Sequence, residues 1–167
     1  SVYQKSPIPK IFFNLIAGTG TNLSILYQKE EKLQFCNTEF GNFENFSPSS
    51  FDLKLIKKTA PGYQLEKMFS GNWQHQLFKI IISDLNLNNL NQKLLSEDSA
   101  GLEKHFQKSA KSLTNSETEK IAKKIWDLLT IRGANLCAIS IAAAFDSLKQ
   151  TDPNHSDQKL LINFTGS

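Results

Sequence analysis

Apolar side chains arrive first in short runs and later at helical spacing, and that order outlines the molecule. Ile11-Phe-Phe-Asn-Leu-Ile-Ala17 predicts a buried strand that feeds Gly18-Thr19-Gly20-Thr21-Asn22, a turn of glycines and small hydrogen-bonding side chains. A second strand-like run, Leu23 to Gln28, leaves the turn at once, and Leu33 to Asn37 offers a third. Residues 40 to 62, rich in Phe, Asn, Ser, Pro and Gly, read as a long, partly structured connection. From Gln64 onward Leu65, Met68, Phe69, Trp73, Leu77, Ile80, Ile81 and Leu85 fall at helical spacing, with Pro61-Gly62 as the entry. Asn86 to Ala100 reads as a loop plus a short helix.

Ser116-Glu117-Thr118-Glu119 matches a capping box, and Ile121, Ile125, Leu128 and Leu129 supply the buried stripe of the helix it opens. Gly133 is a place for that helix to break or bend. Leu136 to Phe145, apolar nearly all round, predicts a helix packed on a sheet. A turn at Thr151-Asp152-Pro153-Asn154 precedes a last strand, Leu160 to Phe164, running into Thr165-Gly166-Ser167. Strands, then helices, then one closing strand suit an α/β layer fold in which the last strand returns beside the first.

The 167 residues fit one domain, 1–167. No apolar run approaches the ~20 residues of a membrane span. The amino end, Ser1 to Lys5, shows no signal-peptide pattern and no initiator Met, as expected of an excised piece. Net charge is only +3, and Arg132 is the one arginine among 19 basic residues, which argues against a reader of nucleic acid. Cys36 and Cys137, without metal-ligand spacing, read as buried free thiols of a reducing, cytoplasmic setting, with a disulfide between them as the alternative. His75 and His105 have no evident partner and read as surface residues.

Glycines in the 18–22 turn let backbone N–H groups approach an anion, with a threonine hydroxyl as a further donor. The same residues also serve a plain tight hairpin. Downstream stand Asn37-Thr38-Glu39-Phe40-Gly41, then Pro61-Gly62-Tyr63-Gln64-Leu65-Glu66-Lys67-Met68 with Ser70-Gly71, then Arg132-Gly-Ala-Asn-Leu with Ala142-Ala-Ala144. Each has a plain reading: Glu39 as a strand-edge charge, Glu66 as a first-turn glutamate, the alanines as close packing.

Together and in this order these motifs resemble the hexokinase family, over nearly the whole chain. The resemblance implies the large-domain portion of a sugar kinase, with a ribonuclease H-like, actin-like ATPase fold: a mixed sheet flanked by helices. It implies that Gly18, Thr19 and Gly20 hold the phosphates of ATP and that Gly166 and Ser167 approach the adenosine. It further implies that Asn22, Glu39, Gln64 and Glu66 grip a hexose, and that ATP carries Mg2+. Carboxylates accept from sugar hydroxyls, and an amide both donates and accepts. The family's catalytic aspartate lies in a segment absent from this chain, so no catalytic residue is expected here and the missing amino-terminal lobe becomes a required partner. Departures are a Pro61–Glu66 spacing one residue short, Trp73-Gln74-His75-Gln76 where the family has Tyr-Leu-Gly-Glu, and Thr165 in place of an aspartate. A catalytically silent sugar sensor or scaffold is the alternative reading.

Overall fold

In strand β1 (Ile11–Ala17) alternate residues Ile11, Phe13 and Leu15 are buried, the period that a sheet with one covered face demands. A computed structural model describes residues 11–29, 32–87, 90, 92–109, 116–151 and 160–166. Strand β2 (Thr21–Lys29) folds back antiparallel on β1, with Ala17 opposite Thr21, so Gly18 to Gly20 form the hairpin end. Strand β3 (Lys32–Asn37) continues the meander, with Ser24 opposite Asn37. The closing strand β4 (Leu160–Thr165) lies parallel to β1, Ile11 opposite Leu160, giving the order β3-β2-β1-β4. The mixed sheet and the returning last strand are as expected.

Between β3 and β4 the helices run α1 (Ser50–Lys58), α2 (Gln64–Phe69), α3 (Gly71–Asp84), α4 (Gln92–Ser96), α5 (Ser99–Ser109) and α6 (Glu117–Thr151). The connection 40–62 contains a 3-10 turn at Phe40–Asn42 and all of α1. Helix α1 is capped by Ser49, whose Oγ accepts from Asp52 N while Asp52 Oδ2 accepts from Ser49 N. The helix expected from Gln64 is two helices. Ser70, extended at φ −72° and ψ 154°, interrupts the run, and its carbonyl accepts from the N–H groups of Trp73 and Gln74 to start α3.

Helix α6 opens on the expected capping box, Glu119 N donating to Ser116 Oγ and Ser116 N to Glu119 Oε2. It then runs for 35 residues straight through Gly133, so the expected break is absent and Leu136–Phe145 is its second half. Gly133 has a packing reason instead: a Cβ there would lie 3.3 Å from Phe69 Cβ. By length and composition α6 would suffice to cross a membrane, which contiguous apolar runs did not reveal because Thr130, Arg132, Asn135 and Ser140 interrupt them. Here its first half packs Ala122, Trp126 and Leu129 against Leu77, Phe78, Leu102 and Phe106. Its second half packs Ile141 and Phe145 against Phe13, Leu15 and Ile25. One helix is thus a wall of two apolar cores.

Cys36 is exposed, contrary to expectation, because β3 is an edge strand beyond the reach of α6. Cys137 is half-buried, and both thiols are free. The turn residues Asp152, Pro153 and Asn154 lie outside the described residues.

Arg132 on α6 makes a two-pronged ion pair with Asp52 of α1, Nη1 to Oδ1 at 2.9 Å and Nη2 to Oδ2 at 2.8 Å. Asp52 is buried, so Arg132→Ala strands a carboxylate away from water and should cost about 3 kcal/mol in urea unfolding. The exposed Lys54–Asp84 pair is the control: Lys54→Ala should cost less than about 1 kcal/mol.

Candidate functional site

The turn at the end of the β1–β2 hairpin is held from behind. Gly71 N donates to Gly18 O at 2.7 Å, Asn72 N donates to Thr19 O at 3.2 Å, and Gly18 N donates to Gly20 O. In a trans peptide the N–H points opposite the preceding C=O. With the carbonyls of Gly18 and Thr19 turned onto the start of α3, the N–H groups of Thr19 and Gly20 point the other way. Among the described residues nothing accepts from them. Two adjacent free N–H groups make an anion-binding concavity. The close approach needs Gly71, since a Cβ there would sit 2.9 Å from Gly18 O.

One residue beyond the turn, Asn22 joins a polar cluster. Its Oδ1 accepts from Leu23 N at 2.8 Å, and its Nδ2 donates to Asn37 Oδ1 at 2.7 Å. Asn37 Nδ2 in turn donates to Glu39 Oε1 at 2.6 Å, while Asn22 Nδ2 stands 3.5 Å from that oxygen. Glu39 occupies the left-handed region, φ 47° and ψ 36°, a costly conformation for a residue with a Cβ. Glu66 comes to the same place from α2: its Oε2 accepts from Thr21 N at 3.0 Å. Gly20 and Gly41 make room for it, since Cβ atoms on them would lie 3.4 Å from Glu66 Oε2 and 3.3 Å from Glu66 Cβ. The loop before α2 is tight, with Gly62 at φ 84° and Tyr63 at φ 53°, and is tied down by Tyr63 N donating to Asn42 Oδ1 and Lys67 Nζ to Ala60 O.

On the other side of the turn lies a cavity of about 600 Å³ between α3, α5 and α6, with Gly18, Thr21, Ser70, Gly71, Ser99 and Lys104 among its lining. The hydroxyls of Thr21 and Ser70 are buried there without a partner among the described residues. Gly166, just after β4, abuts Ala17, where a Cβ would fall 2.3 Å from the Ala17 carbonyl.

The structure therefore gathers Gly18, Thr19, Gly20, Asn22, Glu39 and Glu66 at one end of the sheet. Gln64 begins α2, half-buried and with no hydrogen-bond partner among the described residues, and is not tied to the cluster. Ser167 lies outside the described residues. Reasoning from sequence missed Asn37 as the link between Asn22 and Glu39, and it missed the cavity wall from α5. The signal for α5 was present: Asp98 accepts from Gly101 N as a cap, and Leu102 and Phe106 stand four apart on the buried side. Among the described residues no group of three His, Cys, Asp or Glu side chains is placed to hold a metal.

His75 and His105 are half-buried rather than on the surface. His105 Nε2 lies 3.9 Å from Glu119 Oε1, and its ring meets Phe106 edge-on. His75 has its pKa lowered, chiefly by burial and then by Lys79, against opposing contributions from a backbone bond to Gly71 and from Asp98. A lowered folded pKa stabilises the neutral form, so its contribution is present above the unfolded value near 6.5 and is lost as pH falls. Unfolding free energy should therefore decline below about pH 6.5, and His75→Gln should flatten that part of the profile.

The family model described as hexokinase matches residues 13–167. Among solved structures, hexokinase from Schistosoma mansoni complexed with glucose superposes with a TM-score of 0.68 at 20% identity, over 98% of this chain and 44% of that one. A further crystal structure of hexokinase gives 0.64 at 20% identity, over 97% of this chain and 40% of that one. Glucokinase from an Antarctic psychrotroph gives 0.54 at 15% identity, over 94% and 42%. The chain thus spans less than half the length of each of these structures. No curated protein matches it.

Proposed function

The chain belongs to the hexokinase family, and from that premise we propose that it supplies one wall of an ATP-dependent hexose kinase, which moves the γ-phosphoryl of ATP to the 6-hydroxyl of glucose or a similar hexose. One observation carries the reading: a single hairpin turn has free backbone N–H groups at its tip and is followed immediately by a cluster of amides and carboxylates. An anion held at the tip and a polyol held by the cluster would be neighbours, which is the positioning that phosphoryl transfer requires.

On this reading the N–H groups of Thr19 and Gly20 bind phosphate oxygens on the outward side of the turn. Gly166 leaves the backbone bare where the adenosine passes. Asn22, Glu39 and Glu66 bind hexose hydroxyls, and Gln64 is the weakest of the assignments, having no contact with the others. Magnesium would come with the phosphates of ATP, which it commonly binds through few protein ligands, and would offset phosphate charge. The proton acceptor for the sugar hydroxyl belongs to the amino-terminal lobe, so the 1–167 domain alone should show no turnover. Free thiols at Cys36 and Cys137 suit a cytoplasmic protein. The silent-sensor reading drew on the short Pro61–Glu66 spacing, yet Glu66 still reaches the Thr21 N–H.

The test is a coupled assay of the full-length protein with glucose and ATP; an absence of turnover would overturn the proposal. Asn22→Ala and Glu39→Gln should each raise the KM for hexose roughly 10- to 100-fold, the scale of a lost hydrogen bond to a charged or desolvated group. Gly71→Ala, which displaces the turn through Gly18 O, should instead raise the KM for ATP.

A further inference from the structure

Asn22 and Glu39 are joined by one long direct bond, Nδ2 to Oε1 at 3.5 Å, and by two short bonds through Asn37, at 2.7 Å and 2.6 Å. Asn37 closes β3 opposite Ser24, so it stands on the same sheet face as Asn22 two residues along β2. The amide of Asn22 cannot turn over without losing the bond from Leu23 N to its Oδ1. That leaves Nδ2 as the donor end, and one of its hydrogens goes to Asn37. Asn37 then uses its own donor end on Glu39 Oε1. Among the described residues Glu39 Oε2 has no partner. The outcome is an Asn22 Nδ2 whose remaining hydrogen makes only the long 3.5 Å bond to Glu39 Oε1, beside a Glu39 Oε2 with no partner among the described residues. A sugar hydroxyl accepts from the first in place of that long bond and donates to the second, and a deoxy analogue forgoes both contacts.

We propose that Asn37 is a positioning residue: its amide relay aligns Asn22 and Glu39 as a matched donor and acceptor for one hydroxyl of the hexose. The relay also supplies a reason for Glu39 to remain in its left-handed backbone conformation, since the bond from Asn37 spans only two residues and needs the chain to double back. Asn37 itself is exposed and on an edge strand, so its side chain adds little to the core. The inference rests on the hexose-kinase reading of the site.

Hexose binding to the full-length protein by titration calorimetry, alongside KM and kcat, separates the two. Asn37→Ala should weaken glucose binding roughly tenfold, with the KM for ATP unchanged, and should lose most of the discrimination between glucose and the deoxy analogues. Asn37→Asp is the sharper variant. It keeps an acceptor for Asn22 but offers Glu39 a second carboxylate, and two adjacent carboxylates hold one proton more tightly than either alone. At about pH 5 that shared proton restores a donor, and glucose affinity should approach wild type. Toward pH 8 the affinity should fall well below wild type. A merely structural role would shift affinity equally at both pH values, and that result overturns the proposal, as does wild-type affinity in both variants. If Asn37→Ala does not fold, the pH profile of Asn37→Asp still decides. Loss of hexose affinity in Asn22→Ala and Glu39→Gln, without any in the Asn37 variants, sinks this inference alone; a wild-type protein that binds no hexose sinks both.

Discussion

The carboxylate of Glu66 on the backbone N–H of Thr21 is the contact on which the candidate site depends. It joins α2 to the hairpin turn, two elements separated by the whole 40–62 connection. Because the bond is charge-assisted and partly buried, it is stronger than a neutral pair and restricts where α2 can sit. Glycine at 41 follows from it, since a Cβ there would press on Thr21 O at 3.2 Å and Glu66 Cβ at 3.3 Å. Glycine at 71 follows from the next contact along, where the start of α3 takes the carbonyls of Gly18 and Thr19. The helices thus turn the hairpin's carbonyls inward and leave its N–H groups outward. An anion site is made by occupying the opposite side of the same peptides.

Behind this arrangement stands α6. A helix of 35 residues can serve two cores only if it stays continuous, and Gly133 sits where it passes closest to Phe69. A Cβ there would press on Phe69 Cβ at 3.3 Å, so α2 would have to give by a few tenths of an ångström. The Arg132–Asp52 pair fastens α1 to the same helix, and Asp52 at once caps α1 through Ser49. A buried ion pair of this kind contributes little net stability, but losing either partner is costly, so it specifies geometry more than it strengthens the fold.

Two of the three left-handed non-glycine residues among the described residues, Glu39 and Tyr63, stand at the site, each within three residues of a proposed binding side chain or carrying one; the third, Asn86, follows α3. Such conformations persist when hydrogen bonds over-determine them. For Glu39 these are the relay through Asn37 and the bonds from Thr38 N and Oγ1 to Leu23 O. Side chains held this firmly do not have to be ordered when a ligand arrives, which reduces the entropic cost of binding.

Local pattern carried a good deal. The apolar run from Ile11 to Ala17 identified β1, the glycines marked the turn, Ser116 and Glu119 marked the start of α6, and ordered motifs pointed to the family. Each depends on neighbours in the chain. What the chain alone left open were features decided by residues far apart in sequence. Ser49 and Asp52 hid the start of α1, since Asp is an uncommon partner in a capping box, and Ser70 split one predicted helix through its burial and extended backbone. Cys36 reads as apolar-strand interior, and only the finding that β3 lies at the edge exposes it. Gly133 reads as a breaker until Phe69 is seen against it. Asn37 reads as a strand-end amide until the register of β2 and β3 brings Asn22 to it and the turn at Glu39 folds the carboxylate back. Which residues carry hydrogen-bonding capacity was set by the sequence; which of those capacities remain free was decided by tertiary contacts, because a donor or acceptor is available to a ligand only after the folded chain has taken its share.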